Sequence, residues 1–286
     1  RLNPQVSCGH DVLTRIRHSH QSEGFTELVQ CIRKALDGLT RELCSQAGIE
    51  ARQIHDVVLG GNTTMLQICA GLDPSPLGQL PFKVDLEGGK SYPAEVFGYQ
   101  VHPRARVYVP PISHAFVGSD ISAGLSTLGD FFTTARPHLF IDVGTNGEMA
   151  LSTGRTRVMT STAAGPAFEG AGLSCGMRAA QGAIERVSTD GEDVVAEVIG
   201  DDPRPRGICG SGLIDLLEVL VAIGVVDPSG RMLKPGEAEG LPARVAERLA
   251  LRDGKPAFVV AGDVLVTQSD VRQLQLAKAA IRAGIE

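Results

Sequence analysis

The feature that most constrains this chain is an acidic residue at the end of an apolar strand, directly before a glycine turn. Residues 140–148 read FIDVGTNGE, so Asp142 closes the apolar run and Gly144 and Gly147 bracket the turn. Extended apolar segments resume after this turn and again after a second one. The alternation predicts a three-stranded β-meander with a glycine turn at its first corner.

The composition of this first turn suits an anion. Glycines allow backbone N–H groups to approach phosphate oxygens closely, and Thr145 adds a neutral hydroxyl donor. The carboxylate of Asp142 can hold a hydrated Mg²⁺ ion. A plain hairpin, in which Thr145, Asn146 and Gly147 merely satisfy positive φ angles, explains the same residues. The motif alone leaves both interpretations open.

Two other glycine-rich loops have a similar double interpretation. Residues 162–172 read TAAGPAFEGAG and either line a cleft, with Glu169 as their only charge, or form a tight structural loop. Residues 207–212 read GICGSG and open an amphipathic helix, whose first N–H groups and dipole could face an anion or a ribose. The alternative is a helix N-terminus that packs closely against a strand. In a further segment, 60–64, no acidic residue directly precedes the glycines, which favours a structural cap.

Away from these loops, the chain alternates predicted strands and helices. Apolar residues spaced by three and four over 22–48 predict a helix with Gly48 as its C-terminal stop. Residues 1–130 are expected to form α/β layers with a largely parallel sheet. Two polar or proline-rich stretches, 73–99 and 227–254, are expected to be excursions from the core, and Ser269 is the expected N-cap of a final helix.

Charge and composition exclude several classes of protein. The formal net charge is −6, from 27 Lys and Arg against 33 Asp and Glu, so a nucleic-acid binder with a basic face is not expected. Apolar residues make up 43% and charged residues 21%, which excludes a disordered chain. The mean hydropathy is +0.05. No unbroken apolar run approaches the roughly 18 residues of a transmembrane helix, so no membrane association is expected.

The cysteine and histidine spacings match no standard metal site. The six cysteines stand at positions 8, 31, 44, 69, 175 and 209. No two of them form a CxxC pair, so free buried thiols in a reducing, cytoplasmic compartment are expected. His10, His18 and His20 lie near Cys8, but their spacing favours a solvated surface segment.

Taken together, these motifs resemble those of a known family. Residues 142–148, the two strands that follow and residues 161–165 are similar to the second phosphate motif of the acetate and sugar kinase, Hsp70 and actin superfamily. More narrowly, several segments in order resemble the reductive activators of corrinoid proteins, which are ferredoxin-fused ATPases. The matching segments cover nearly the whole chain and are 3–5, 61–65, 163–170, 175–178, 207–215 and 275–281.

The resemblance implies an α/β, two-lobed, actin/Hsp70-like (ribonuclease H-like) ATPase fold that is incomplete at both ends. Residues 1–135 would be the first lobe without its N-terminal phosphate hairpin, and residues 136–286 the second lobe without its C-terminal adenosine motif. The family's four-cysteine ferredoxin domain would also lie outside this chain. The segment by itself is therefore expected to be inactive.

The implied function is ATP-dependent reduction of a corrinoid methyl-transfer protein from Co(II) to Co(I), with electrons from the 2Fe–2S ferredoxin domain. The implied cofactors are ATP and Mg²⁺, and the implied partner is the corrinoid protein of a methyltransferase system. A homodimer is left open. The alternatives are a small-molecule kinase of the same superfamily, which needs a carboxylate base, and a nucleotide-free scaffold that docks a corrinoid protein.

The resemblance also implies roles for individual residues. Asp142 would position Mg²⁺ and is a catalytic candidate together with Glu148 and Glu169. The residues expected to contact the nucleotide are Gly144, Thr145, Asn146, Gly147, Gly165, Gly210, Ser211 and Gly212.

Overall fold

The computed structural model of the protein describes residues 3–9, 11–129, 131, 133–201 and 204–286. His10, considered above, lies outside these residues. The chain divides into two compact units, one formed by Arg1–Ile141 with Glu148–Ser161 and the other by Asp142–Gly147 with Thr162–Glu286. Helices and strands occur in both units, which confirms the α/β class.

Two of the four α-helices that the structure describes in the first unit begin at a side-chain cap, and two end at glycines. The four are α1 (Val12–Ser19), α2 (Ser22–Ala47), α3 (Thr63–Ala70) and α4 (Ser119–Ser126). The predicted stop of α2 is confirmed, because Gly48 adopts a left-handed conformation with φ 66°. The cap expected within 60–64 is also confirmed, since Asn62 Oδ1 accepts the Met65 N–H at 2.9 Å.

The first unit contains a three-stranded sheet in the order β1-β3-β2. Its strands are β1 (Asp56–Val58), β2 (Lys90–Pro93) and β3 (Arg106–Val109). β1 and β3 are parallel, but β2 pairs with β3 antiparallel, with Tyr92 opposite Val107. The expectation of a largely parallel sheet is therefore wrong for β2. That strand lies in the stretch expected to be an excursion, and its sequence, KSYP, has no apolar alternation that would predict a strand.

The predicted β-meander is present. Its strands are β4 (His138–Val143), β5 (Gly147–Ser152) and β6 (Arg157–Thr162), in that order. Helix α4 packs on it through a buried cluster that includes Ile121, Leu125 and Ala150. Gly124 lets the helix approach, because a Cβ there would lie 3.2 Å from Phe140 Cζ. These contacts pack α4 against β4 and β5.

The second unit combines two further three-stranded sheets with two long helices. Its strands are β7 (Ala183–Thr189), β8 (Val194–Val198), β9 (Gly207–Ile208), β10 (Leu249–Arg252), β11 (Lys255–Ala261) and β12 (Val264–Thr267). Its helices are α5 (Gly210–Ala222), α6 (Ala243–Ala246) and α7 (Gln268–Ile285). The sheet orders are β8-β7-β9 and β10-β11-β12. One apolar core, which includes Ile184, Leu213, Leu216 and Phe258, joins α5 to both sheets.

Three details of the sequence interpretation are wrong. The stretch 227–254 is not a surface insertion, because Met232 and Val245 are buried in the core and β10 pairs with β11. The stretch 73–99 likewise buries Leu77 and Phe97 completely. The N-cap of α7 is Thr267 rather than Ser269; its hydroxyl and backbone N–H both bond to Asp270. Among the residues that the structure describes, no helix has the length and apolarity needed to cross a membrane.

Candidate functional site

The glycine turn between β4 and β5 holds an anion supplied by the protein itself. The Thr145 N–H donates to Glu169 Oε1 at 3.2 Å, and the Gly144 N–H donates to the Asn146 carbonyl at 2.9 Å. A Cβ at Gly144 would lie 3.7 Å from the same carboxylate oxygen. The turn therefore presents a backbone donor to a negative charge, as an anion-binding turn does.

The loop that carries Glu169 is fastened directly to this turn. The Gly165 N–H donates to the Thr145 carbonyl at 2.8 Å, and Thr162 Oγ1 donates to the Gly147 carbonyl at 3.3 Å. Gly165 has φ +82°, and a Cβ there would meet no atom within 4 Å. Its backbone conformation requires glycine, and the space beside it is open. The structure thus brings together Thr145, Gly165 and Glu169 of the predicted site.

Local sequence explains why Glu169 projects from this loop. Residues Pro166–Glu169 form one 3₁₀ turn, which begins at a proline and ends where Gly170 takes φ 75°. Pro166 suits the first position because it fixes φ and needs no donor there. Gly170 is also required by packing, since a Cβ would come within 2.3 Å of the Met177 carbonyl oxygen. Glu169 is the last residue of a short, closely packed turn.

Glu169 also borders a cavity of about 440 Å³ at the start of α5. Its lining consists of Phe168, Glu169, Met177, Arg178, Ala179, Cys209, Gly210 and Ser211. The N-terminus of α5 carries the positive end of the helix dipole, and the guanidinium of Arg178 adds a full positive charge. The cavity therefore combines two features that attract anions with one carboxylate.

The glycines at the start of α5 are fully accounted for by packing. A Cβ at Gly210 would lie 2.0 Å from the Phe168 carbonyl oxygen, and a Cβ at Gly212 would lie 2.3 Å from that of Ile184. The hydroxyl of Ser211 donates to the Glu185 carbonyl at 2.9 Å. This is the close helix-to-strand packing that the sequence left open as an alternative. Gly210 and Ser211 nevertheless line the cavity, and their contact with a nucleotide stays a prediction.

The remaining predicted residues lie on the strands beside the turn. Asp142 is exposed on β4, two residues before Gly144. Glu148 is half-buried on β5, where Ser161 Oγ donates to its Oε1 at 3.3 Å. Neither carboxylate takes part in the hydrogen bonds that join the turn to the loop of Glu169. Their catalytic and metal-binding roles stay predictions.

Sequence reasoning missed Arg178 and Cys209 as residues of this cavity. Both fall inside segments that carry the family resemblance, but a single basic residue in a loop follows no periodic pattern. The available signal for Arg178 was its place in the sequence, a few residues after the loop in which Glu169 is the only charge. Cys209 was recognisable only as the residue before Gly210, and its Sγ lies 3.3 Å from Ser211 Oγ.

Comparisons with known proteins fit this architecture. The family description "C-terminal domain of RACo the ASKHA domain" matches residues 136–286, and "RACo middle region" matches residues 1–129. The ASKHA match confirms the expected actin/Hsp70-type fold of the C-terminal part. A solved structure, "Reductive activator for corrinoid,iron-sulfur protein", superposes with a TM-score of 0.84 at 35% identity, covering 100% of this chain and 46% of that one.

Two curated relatives point in the same direction. The corrinoid activation enzyme RamQ of Eubacterium limosum is 33% identical over 293 residues, which cover 99% of this chain and 48% of RamQ. The Co(II) methylated amine-specific corrinoid protein reductase of Methanosarcina barkeri is 32% identical over 204 residues, covering 68% of this chain and 36% of that protein. This chain spans about half the length of RamQ. With both of its parts matched in order, the chain belongs to the RACo family and comprises its middle region and ASKHA domain.

Proposed function

We propose that this chain is the nucleotide-binding part of an ATP-dependent reductive activator that returns a corrinoid protein from Co(II) to Co(I). An ASKHA domain implies nucleotide binding. The relatives named as a corrinoid activation enzyme and as a reductase of a Co(II) corrinoid protein support the redox role. Those names favour an activator over a small-molecule kinase or a nucleotide-free scaffold. The partner would be the corrinoid protein of a methyltransferase system in the cytoplasm.

The electron would come from a 2Fe–2S ferredoxin domain outside these 286 residues. All six cysteines of this chain are free. Among the described residues, no group of four cysteines gathers as ligands, and the one candidate cluster for a metal contains a single cysteine. A 2Fe–2S cluster held by four thiolates does not fit this chain. In this proposal, residues 1–135 and 136–286 belong to the two lobes of the ATPase.

The observation that carries the nucleotide site is the Thr145 N–H bonded to the Glu169 carboxylate. A carboxylate oxygen and a phosphate oxygen are both anionic acceptors, so the same backbone N–H can donate a hydrogen bond to either. The open space beside Gly165 leaves room for a larger group at this turn. The residues present therefore fit a nucleotide phosphate. When no nucleotide is bound, the Glu169 carboxylate accepts the hydrogen bond from the Thr145 N–H.

Several residues of the site then have distinct tasks. Hydrolysis of bound ATP supplies the free energy for an uphill electron transfer. Glu169 would give up the Thr145 N–H to a phosphate oxygen, and the exposed carboxylate of Asp142 would hold Mg²⁺. Arg178 and the N-terminus of α5 hold negative charge in the neighbouring cavity. Gly210 and Gly212 set that N-terminus against its strand, so the donors are fixed before any ligand arrives.

Coupling to the partner requires that the nucleotide favour one conformation over another. A ligand shifts such an equilibrium only by its differential affinity for the two states. Here the differential contact is the exchange of Glu169 for phosphate at Thr145. This exchange removes one of the hydrogen bonds between the turn and the loop 162–170, and we propose that the corrinoid protein recognises the loop in its nucleotide-bound arrangement.

The test uses the Asp142→Ala variant of the full-length protein with its corrinoid partner. We expect Mg²⁺-dependent ATP affinity to fall by about tenfold or more, because a metal-positioning carboxylate is lost. Calorimetry gives the affinity, and the cobalt absorption spectrum gives the rate of Co(I) formation. Binding of ATP without Mg²⁺ is the internal control and should not change. An unchanged Mg·ATP affinity, or Co(I) formation that does not need ATP, contradicts the proposal.

A further inference from the structure

Three side chains from separate segments of the first unit meet at one point. Cys8 ends a 3₁₀ turn (Pro4–Cys8), His18 lies in the last turn of α1, and Glu27 lies near the start of α2. Their thiol, imidazole and carboxylate atoms all lie within 4.8 Å of one another. His18 Nε2 is 3.0 Å from Glu27 Oε2. Sulfur, nitrogen and oxygen donors thus converge although the residues are nine and ten positions apart in sequence.

The packing of α2 is adapted to hold the His18 ring in this place. A Cβ at Gly24 would lie 3.1 Å from both Cδ2 and Nε2 of His18, and 2.3 Å from its carbonyl oxygen. The contact with the carbonyl oxygen requires glycine at position 24, and the imidazole then lies against the bare backbone of the helix. Glycine inside a helix costs about 1 kcal/mol relative to alanine. The chain accepts this cost at the position that seats the ring.

The local environment also suits a bound cation. Cys8 is only 9% exposed, whereas Glu27 remains exposed, so the cluster has a buried side and a solvent side. An open depression lined by Glu23, Glu27 and Cys31, among others, adjoins it. Zinc is commonly bound by three protein ligands, with its fourth position open to solvent. A thiolate, an imidazole and a carboxylate are all ligands that zinc accepts, with the thiolate selecting against Mg²⁺ and Ca²⁺.

We propose that Cys8, His18 and Glu27 form a zinc site that ties the Pro4–Cys8 turn to the corner between α1 and α2. The site is independent of the nucleotide site and of the proposed redox function. Sequence spacing alone favoured a solvated segment around His18, because tertiary packing, and not a local motif, brings these three side chains together. Zinc requires a deprotonated thiol and a neutral imidazole, so binding releases protons and weakens at low pH.

The test measures zinc in the full-length protein and in single variants. We expect about one zinc ion per chain at this site, with three protein ligands as in other open zinc sites. Loss of a residue that only supports a zinc ligand lowers metal affinity by about 10–100-fold. Because Cys8→Ser, His18→Gln and Glu27→Gln each remove a ligand, zinc affinity should fall by more than this. One matched control is Cys44→Ser, which removes a buried thiol on α2, the helix that also carries Glu27. The other is His20→Gln, which removes an exposed histidine two positions from His18. Both controls should keep wild-type zinc affinity.

A second measurement needs no variant and therefore does not depend on whether a variant folds. The zinc-edge X-ray absorption spectrum should show a sulfur ligand at about 2.3 Å together with nitrogen or oxygen ligands at about 2.0–2.2 Å. Circular dichroism checks that each variant is folded at the temperature of the zinc measurement. Zinc that stays bound with full affinity in folded Cys8→Ser, or a spectrum without sulfur, overturns the proposal. Protein that binds no zinc at all overturns it as well.

Discussion

At the scale of single residues, the most informative contact is the one between Thr145 and Glu169. The sequence identified both residues, one as a phosphate donor and the other as a charge lining a cleft, but did not predict that they bond to each other. That bond depends on the Gly165 N–H fastening one loop to the other. Such pairing of loops distant in sequence leaves no periodic signal, which is why each loop alone kept two interpretations.

The Glu169→Gln variant tests whether this carboxylate competes with a nucleotide. A charge-assisted hydrogen bond is about twice as strong as a neutral one, so the amide should hold the Thr145 N–H less firmly. We expect nucleotide affinity in the full-length protein to rise by about fivefold, equivalent to about 1 kcal/mol. Calorimetric titration with a non-hydrolysable ATP analogue measures this. Glu185→Gln, an exposed glutamate on β7, is the control and should leave the affinity unchanged; weaker binding by Glu169→Gln contradicts the competition.

At the scale of elements, prediction succeeded where an apolar pattern and its stop signals coincided. α2 with Gly48 and the meander β4-β5-β6 were predicted on that basis, and the structure contains both. Prediction failed at β10 and β2, which are short strands inside polar or proline-rich stretches. Their burial is decided by the neighbours they pair with, and a single sequence does not show those neighbours.

The start of α5 offers a direct test of packing against a strand and a turn. In Gly210→Ala the new methyl group would come within 2.0 Å of the Phe168 carbonyl oxygen, so the backbone has to move. We expect the free energy of unfolding to fall by about 1–3 kcal/mol, which is typical of overpacking. Urea denaturation measures it. Gly60→Ala is the control, because a Cβ there would meet its nearest atom only at 4.0 Å. Equal stability of the two variants would argue against the close approach.

At the scale of the whole molecule, the sheets of the second unit are joined by one arginine. Arg248 bonds both carboxylate oxygens of Asp193, at 2.6 and 2.8 Å, and donates to the carbonyls of Val194 at 3.1 Å and Val260 at 2.6 Å. Asp193 precedes β8 and Val260 belongs to β11, so the guanidinium connects two separate sheets. Only a planar, five-donor group serves all of these acceptors at once.

This junction predicts a pH-dependent stability. The hydrogen bond from Arg248 is the main reason that the pKa of Asp193 lies below its usual value. Its stabilising effect is therefore fully present above the unfolded pKa of about 3.9 and is lost as the pH falls through the lower folded pKa. We expect Asp193→Asn to unfold more easily than wild type at pH 7 and the difference to shrink below about pH 4. Denaturation at several pH values measures this, with the exposed neighbour Glu192→Gln as control. A difference that persists unchanged at low pH contradicts the assignment.

Gly24 sets how closely α1 and α2 approach at their corner. A side chain at 24 would strengthen α2 as an isolated helix, yet it would occupy the volume in which the His18 ring lies. The nearest atom to such a Cβ is the backbone carbonyl oxygen of residue 18, at 2.3 Å, and every residue type has that atom. Glycine is therefore required at 24 for as long as α1 and α2 meet at this distance, whatever side chain stands at 18. Replacing Gly24 would force the corner between the two helices to open.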